Sequence, residues 1–169
     1  NAQCYLGPPI QGYQTDGGQE AWVYTTNILV PPYGYSGWGT TQVGPWWDNE
    51  HNRNDDYHKI TACFLNATGQ VAGVAQRFNG GSMDRGQSAW LGTPFFDGVQ
   101  LQWDSRVVGL TDTQHTRNDG YRSNNVIALS DAGRVAGNAR RFNGGGTDLG
   151  QSAWCFNGSV TTNIGHMMP

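Results

Sequence analysis

Residues 70–92, QVAGVAQRFNGGSMDRGQSAWLG, align without a gap to residues 134–156, RVAGNARRFNGGGTDLGQSAWCF, at a constant shift of 64 positions. The shift carries Val71 onto Val135, Phe78 onto Phe142 and Trp90 onto Trp154, and it also relates His51 to His115. A chain that repeats itself in this way folds as stacked supersecondary units, each burying its apolar surface on a neighbour. A fainter copy stands near the start, where GQEAW (18–22) echoes GQSAW at 86–90 and 150–154. The repeat ends recur as TTQVG (40–44), SRVVG (105–109) and TTNIG (161–165). The sequence thus reads as one β-repeat domain over 1–169, with a partial module at about 1–44 and fuller ones at about 45–109 and 110–165.

Within a module the strand signals are short and regularly punctuated. HKITACFLN (58–66) and NNVIALSD (124–131) are β-branched, apolar runs, each closed by a turn in which Gly69 or Gly133 supplies a positive φ. A strand rich in small residues follows, around Val71-Ala72-Gly73 or Val135-Ala136-Gly137, suited to a crowded inner position. A glycine loop and the GQSAW strand come next, and a final strand ends at Val-Gly or Ile-Gly. No stretch has the 3.6-residue period of a helix. The expectation is all-β, with about four strands per module in a β-propeller-like arrangement. A propeller typically needs at least four blades, so one chain of this length does not close the ring. Either homo-oligomerisation or the remainder of a longer chain completes it, or the modules form a different β-assembly.

Residues 126–165, VIALSDAGRVAGNARRFNGGGTDLGQSAWCFNGSVTTNIG, resemble the HAF-type extracellular repeat. The matching positions are Ala128 to Ser130, Gly133, Val135 to Gly137, Ser152 to Trp154 and Asn157 to Gly165; the second module matches through Gln70–Gly73 and Ser88–Trp90. The resemblance implies propeller-like blades in an extracellular or cell-surface protein. The family's repeats are shorter than 64 residues, so the segments carrying the two histidines read as insertions.

Those segments spell His-x-Arg-Asn-Asp-x-Tyr twice: His51, Arg53, Asn54, Asp55 and Tyr57, then His115, Arg117, Asn118, Asp119 and Tyr121. Asn-Asp forms turns and Arg-Asp forms local ion pairs, which would make the motif architectural. The same side chains also suit sugars, with planar donors and acceptors for hydroxyl pairs and an aromatic face for the ring. Trp46 and Trp47 stand beside the first copy, and Tyr33, Tyr35 and Trp38 lie in PPYGYSGWG (31–39). Duplication favours recognition over catalysis, because weak sites gain avidity on a polymer. The candidate ligand-binding residues are His51, Arg53, Asp55, Tyr57, His115, Arg117, Asp119, Tyr121, Trp46 and Trp47, and the expected partner is a glycan or polysaccharide. The alternatives are a carbohydrate-active enzyme such as a polysaccharide lyase, using His as base and Tyr as acid, and a structural surface or filament subunit.

The remaining features narrow the field. Charged residues make up 14% of the chain and the net charge is −3. Phosphate binding needs clustered cations, and the ten Lys and Arg residues form no run, so nucleic acid is not an expected partner. No apolar stretch approaches the ~20 residues of a membrane helix. The glycine loops lack a P-loop Gly-Lys-Ser/Thr, and Asp84 and Asp148 read as turn-forming residues. No cofactor or metal is expected, a calcium ion bridging the Asn-Asp loops being the one the pattern admits. Cys4, Cys63 and Cys155 allow one disulfide with three pairings. The start at Asn1 fits a processed chain or a fragment.

Overall fold

The computed structural model describes residues 3–6, 18–30, 35–98 and 101–167. Tyr33 lies outside the described residues, as do the side chains of Cys4, Tyr35 and Trp38. The described chain is all-β, with twelve strands: β1 (Gln3–Leu6), β2 (Gly18–Gln19), β3 (Ala21–Val30), β4 (Tyr35–Val43), β5 (His58–Leu65), β6 (Val71–Gln76), β7 (Gly86–Phe96), β8 (Leu101–Val108), β9 (Arg122–Leu129), β10 (Val135–Phe142), β11 (Asp148–Phe156) and β12 (Thr161–Met167). β1, β3 and β4 form one sheet and the other nine strands a second; neither closes into a barrel.

Positions 64 apart take the same place in the ladders. β5 to β8 run as an antiparallel meander and β9 to β12 as another. Gly73 faces Trp90 across one pair and Gly137 faces Trp154 across the other. Each tryptophan is fully buried, and each glycine is where the ring lies flat on the neighbouring strand; a Cβ on Gly137 would overlap both the Trp154 ring and the Asn125 carbonyl oxygen. Burial of an aromatic of this size dominates the energetics of each repeat. The turn glycines Gly69 and Gly133 have φ of +82° and +72°, as the sequence required.

The meanders pack through opposite faces of β6 and β7. On one face Val71, Ala75 and Trp90 join Ala21, Val23, Val43 and Ile60. On the other, Ala72, Ala89, Leu91 and Val108 meet Val135, Ala139, Trp154 and Phe156. Successive repeats are also stitched by a short parallel step. Gly18 and Gln19 pair with His58 and Lys59, and Gly86 and Gln87 pair with Arg122 and Ser123. Glycine is required there because a Cβ would run into the carbonyl of the strand alongside, His58 in one case and Arg122 in the other. That close approach explains why Gly-Gln precedes the tryptophan.

β6 is shorter than its counterpart β10, but both leave the ladder in the same way: the Phe78 amide donates to the Glu50 carbonyl as the Phe142 amide does to Gln114.

Candidate binding cleft between the second and third repeats

The duplicated motif folds inward. Asp48 and His51 sit in a turn where the His51 amide and ring Nδ1 both approach the Asp48 carboxylate, at 2.8 and 2.7 Å. In the second copy His115 Nδ1 lies 2.8 Å from Asp112, and its Nε2 lies 2.9 Å from Ser152 Oγ. His51 and His115 are 0% and 1% exposed. The Asp112–His115–Ser152 series has the connectivity of a nucleophilic triad, yet Ser152 is fully buried. Its work is to tie the loop to β11. Neither imidazole can reach a substrate proton without opening the fold, the geometry a lyase base would need.

The rest of the motif is spent in a stack. Arg53 Nη2 reaches Asp55 at 2.6 Å and its guanidinium lies 4.8 Å over the Tyr57 ring, which meets Phe78 edge-on at 5.6 Å. Arg117, Asp119, Tyr121 and Phe142 repeat the arrangement, with the ion pair at 2.7 Å and the rings 6.0 Å apart. The Asn54 amide donates to the Gly80 carbonyl and the Asn118 amide to the Gly144 carbonyl, so each RND turn docks on its glycine loop. Gly80 and Gly144 have φ of +78° and +87°, which a side chain would strain. Asp84 and Asp148 accept from the Gly86 and Gly150 amides as turn residues. Among the described residues no three His, Cys, Asp or Glu side chains gather as a metal set.

Glu50 joins the repeats electrostatically. One carboxylate oxygen accepts from Arg77 at 3.2 Å and the other from Arg122 at 2.6 Å, and Arg77 also donates to the Gly120 and Arg85 carbonyls. Burial alone would raise the Glu50 pKa, but the charges of Arg122 and Arg77 outweigh it and hold the carboxyl below its usual value. Asp48 and Asp112 are likewise raised by burial and pulled further down by hydrogen bonds from His51 and His115. A depressed carboxyl stabilises the fold above its unfolded pKa of about 4 and loses that contribution as pH falls through the folded value. Urea midpoints should therefore hold flat from neutral pH to about 5 and fall steeply below about 4, and Glu50→Gln should flatten part of that fall.

Beside this junction opens a cleft of about 380 Å³. β5 contributes Lys59 and Thr61, β6 Val74 and Gln76, and β7 Gln87, with Asp84 on the approach loop. Tyr121 and Ser123 line it from the third repeat. The lining mixes a cation, a carboxylate, amides and hydroxyls with one aromatic ring. Ordinary ligand pockets run from about 300 to 1,000 Å³.

Of the ten residues singled out in the sequence, Tyr121 lines this cleft. Arg53, Asp55, Arg117 and Asp119 are partly exposed at the loop surfaces, and Tyr57 is half-buried against Phe78. His51 and His115 lie inside. Trp46 and Trp47 are 40% and 52% exposed and meet edge-on at 5.7 Å, outside the cleft lining. Lys59 and Gln76 belong to no motif; Gln87 lies in the recurring Gly-Gln, the one sequence signal that reaches the cleft. Cys63 and Cys155 are free thiols.

No protein-family model, curated protein or solved structure matches the chain.

Proposed function

We propose that this is an extracellular, non-catalytic recognition protein with propeller-like repeats, which binds carbohydrate in the cleft between its second and third repeats. The observation that carries the reading is the cleft's lining, in which Lys59, Gln76, Asp84, Gln87 and Ser123 offer hydroxyl-compatible donors and acceptors around the Tyr121 ring. Sugars are held by that combination of planar polar groups and an aromatic face. The Arg117 guanidinium, held by Asp119, stacks on the Tyr121 ring and so fixes it before any ligand arrives, which lowers the ordering cost of binding. The resemblance to HAF-type repeats supports the extracellular placement.

A structural surface or filament subunit is the second reading. It is favoured by the number of motif side chains consumed within the fold, from His115 on Ser152 to Arg53 on Tyr57.

The test is binding of the folded chain to a panel of polysaccharides and oligosaccharides, followed by titration of any hit. Lys59→Ala leaves the core untouched because its side chain is exposed, and should weaken a genuine hit about tenfold, the value of one charged hydrogen bond. Binding unchanged in Lys59→Ala and Gln87→Ala would remove the cleft from the proposal. A folded chain that binds no glycan would leave the structural reading.

A further inference from the structure

Among the described residues two sheet faces are left over once the internal junctions are accounted for, and they correspond to the two halves of one junction. The second repeat presents its Trp90 face to Ala21, Val23 and Val43 of the first. The third presents its Trp154 face to Ala89, Leu91 and Val108 of the second. The receiving residues are equivalent: Ala21 pairs with Val43 across β3 and β4 as Ala89 pairs with Val108 across β7 and β8, and Val23 holds the place of Leu91. So every internal contact sets a tryptophan face against an alanine-valine face.

The remaining tryptophan face belongs to the first repeat. Trp22 lies on the side of β3 opposite the buried Ala21 and Val23, and is only half-buried where its two counterparts are sealed. The remaining receiving face belongs to the third repeat. It carries Ala136, Ala153 and Cys155, paired across β10 and β11 with Ala136 opposite Cys155, in the places of the fully buried Ala72, Ala89 and Leu91. Ile164 aligns in sequence with Val108 but falls at a bulge of β12, where Gly165 faces Ala153; it is 63% exposed, against 3% for Val108. Ala136, Ala153 and Cys155 are each only half-buried where Ala72, Ala89 and Leu91 are sealed, as an unoccupied junction would leave them.

We infer that a second copy of this chain fills it, the Trp22 face of one molecule seating on the Ala136–Ala153–Cys155 face of the next. The contact is heterologous: each copy keeps one free tryptophan face and one free receiving face, so association builds either a closed ring or an open filament. This goes beyond the carbohydrate reading and stands independently of it. The net charge of −3 offers little repulsion to self-association.

The experiment uses two surface variants of the chain, Trp22→Arg and Ala153→Arg, one blocking each face and both adding the same charge so that the altered faces do not attract each other. Circular dichroism and thermal melting establish that each is folded. In sedimentation velocity the unaltered chain should gain mass with concentration, and each variant alone should stay monomeric. An equimolar mixture should form a 1:1 dimer of roughly twice the monomer mass, because one intact face of each kind remains. A monomeric unaltered chain at all concentrations, or a mixture that stays monomeric, overturns the inference. Dimers formed by either variant alone would show an isologous contact and overturn it as well. A readout free of substitutions accompanies this: alkylation of Cys155 should slow several-fold with rising protein concentration, while that of the exposed Cys63 stays constant. Equal rates for Cys155 at all concentrations count against the proposed face.

Discussion

Gly137→Ala is expected to destabilise the chain about as much as truncating the tryptophan it faces. A Cβ at Gly137 would occupy the space of the Asn125 carbonyl oxygen and of the Trp154 indole. A side chain can yield, but the carbonyl is part of the β9–β10 ladder, in which Gly137 pairs with Val126 and Asn138 with Asn125. Relief therefore means prising two core strands apart, which places the cost at or above the upper end of ordinary overpacking, about 3 kcal/mol. Trp154→Ala should cost about 3–5 kcal/mol by emptying a sealed site. The discriminating measurement is the double variant in urea unfolding. If the steric conflict were with the indole alone, Trp154→Ala would rescue Gly137→Ala. The backbone conflict predicts no rescue: the two costs add, and the double variant is clearly less stable than Trp154→Ala alone. Gly146→Ala is the control, since a Cβ there meets nothing within 4 Å.

Arg77→Ala should be the most damaging change among the charged residues. Arg77 is 3% exposed and donates to the Glu50 carboxylate and to the Gly120 and Arg85 carbonyls. Its removal strips partners from all three and empties the space of its stem. Breaking a buried pair from one side typically costs about 3–5 kcal/mol. Here the lower end applies, because the Glu50 side chain is 44% exposed and water can reach it. A loss near 3 kcal/mol would lower the melting temperature by about 6–12 °C in a domain of this size. Arg77→Met, which keeps the stem, should recover part of the loss. Equal effects of Arg77→Ala and Arg53→Ala, the latter at a partly exposed pair, would show that Glu50 and Arg77 do not couple the repeats.

The strand pattern and the buried tryptophans were readable in advance, because turn glycines, β-branched runs and a recurring Gly-Gln-x-Ala-Trp are local properties of the chain. The inward folding of His51 and His115 was harder to see. A histidine beside an arginine and a tyrosine has the same spelling whether its loop projects or tucks under. Two clues were nonetheless present. An aspartate stands three positions before each histidine, at Asp48 and Asp112, and is that histidine's partner in the structure; a serine recurs at Ser88 and Ser152, of which Ser152 meets His115. The Phe-Asn-Gly-Gly loop repeats with the same shift because the RND turn rests on it, Asn54 on Gly80 and Asn118 on Gly144. Apart from the recurring Gly-Gln that holds Gln87, the cleft left no such trace. Lys59, Gln76 and Gln87 come from three different strands, and only the folding of the sheet brings them to one opening.

The parallel step of Gly-Gln on the next repeat has a genealogical consequence. Since Gly18 and Gln19 meet His58 and Lys59 in the same manner as Gly86 and Gln87 meet Arg122 and Ser123, the seam is indifferent to which copy lies on either side. Unequal recombination between residues 64 apart would add or delete one whole unit and reproduce both flanking seams unchanged. A chain organised in this way can change its length in quanta without ever passing through an intermediate that has to invent a new interface.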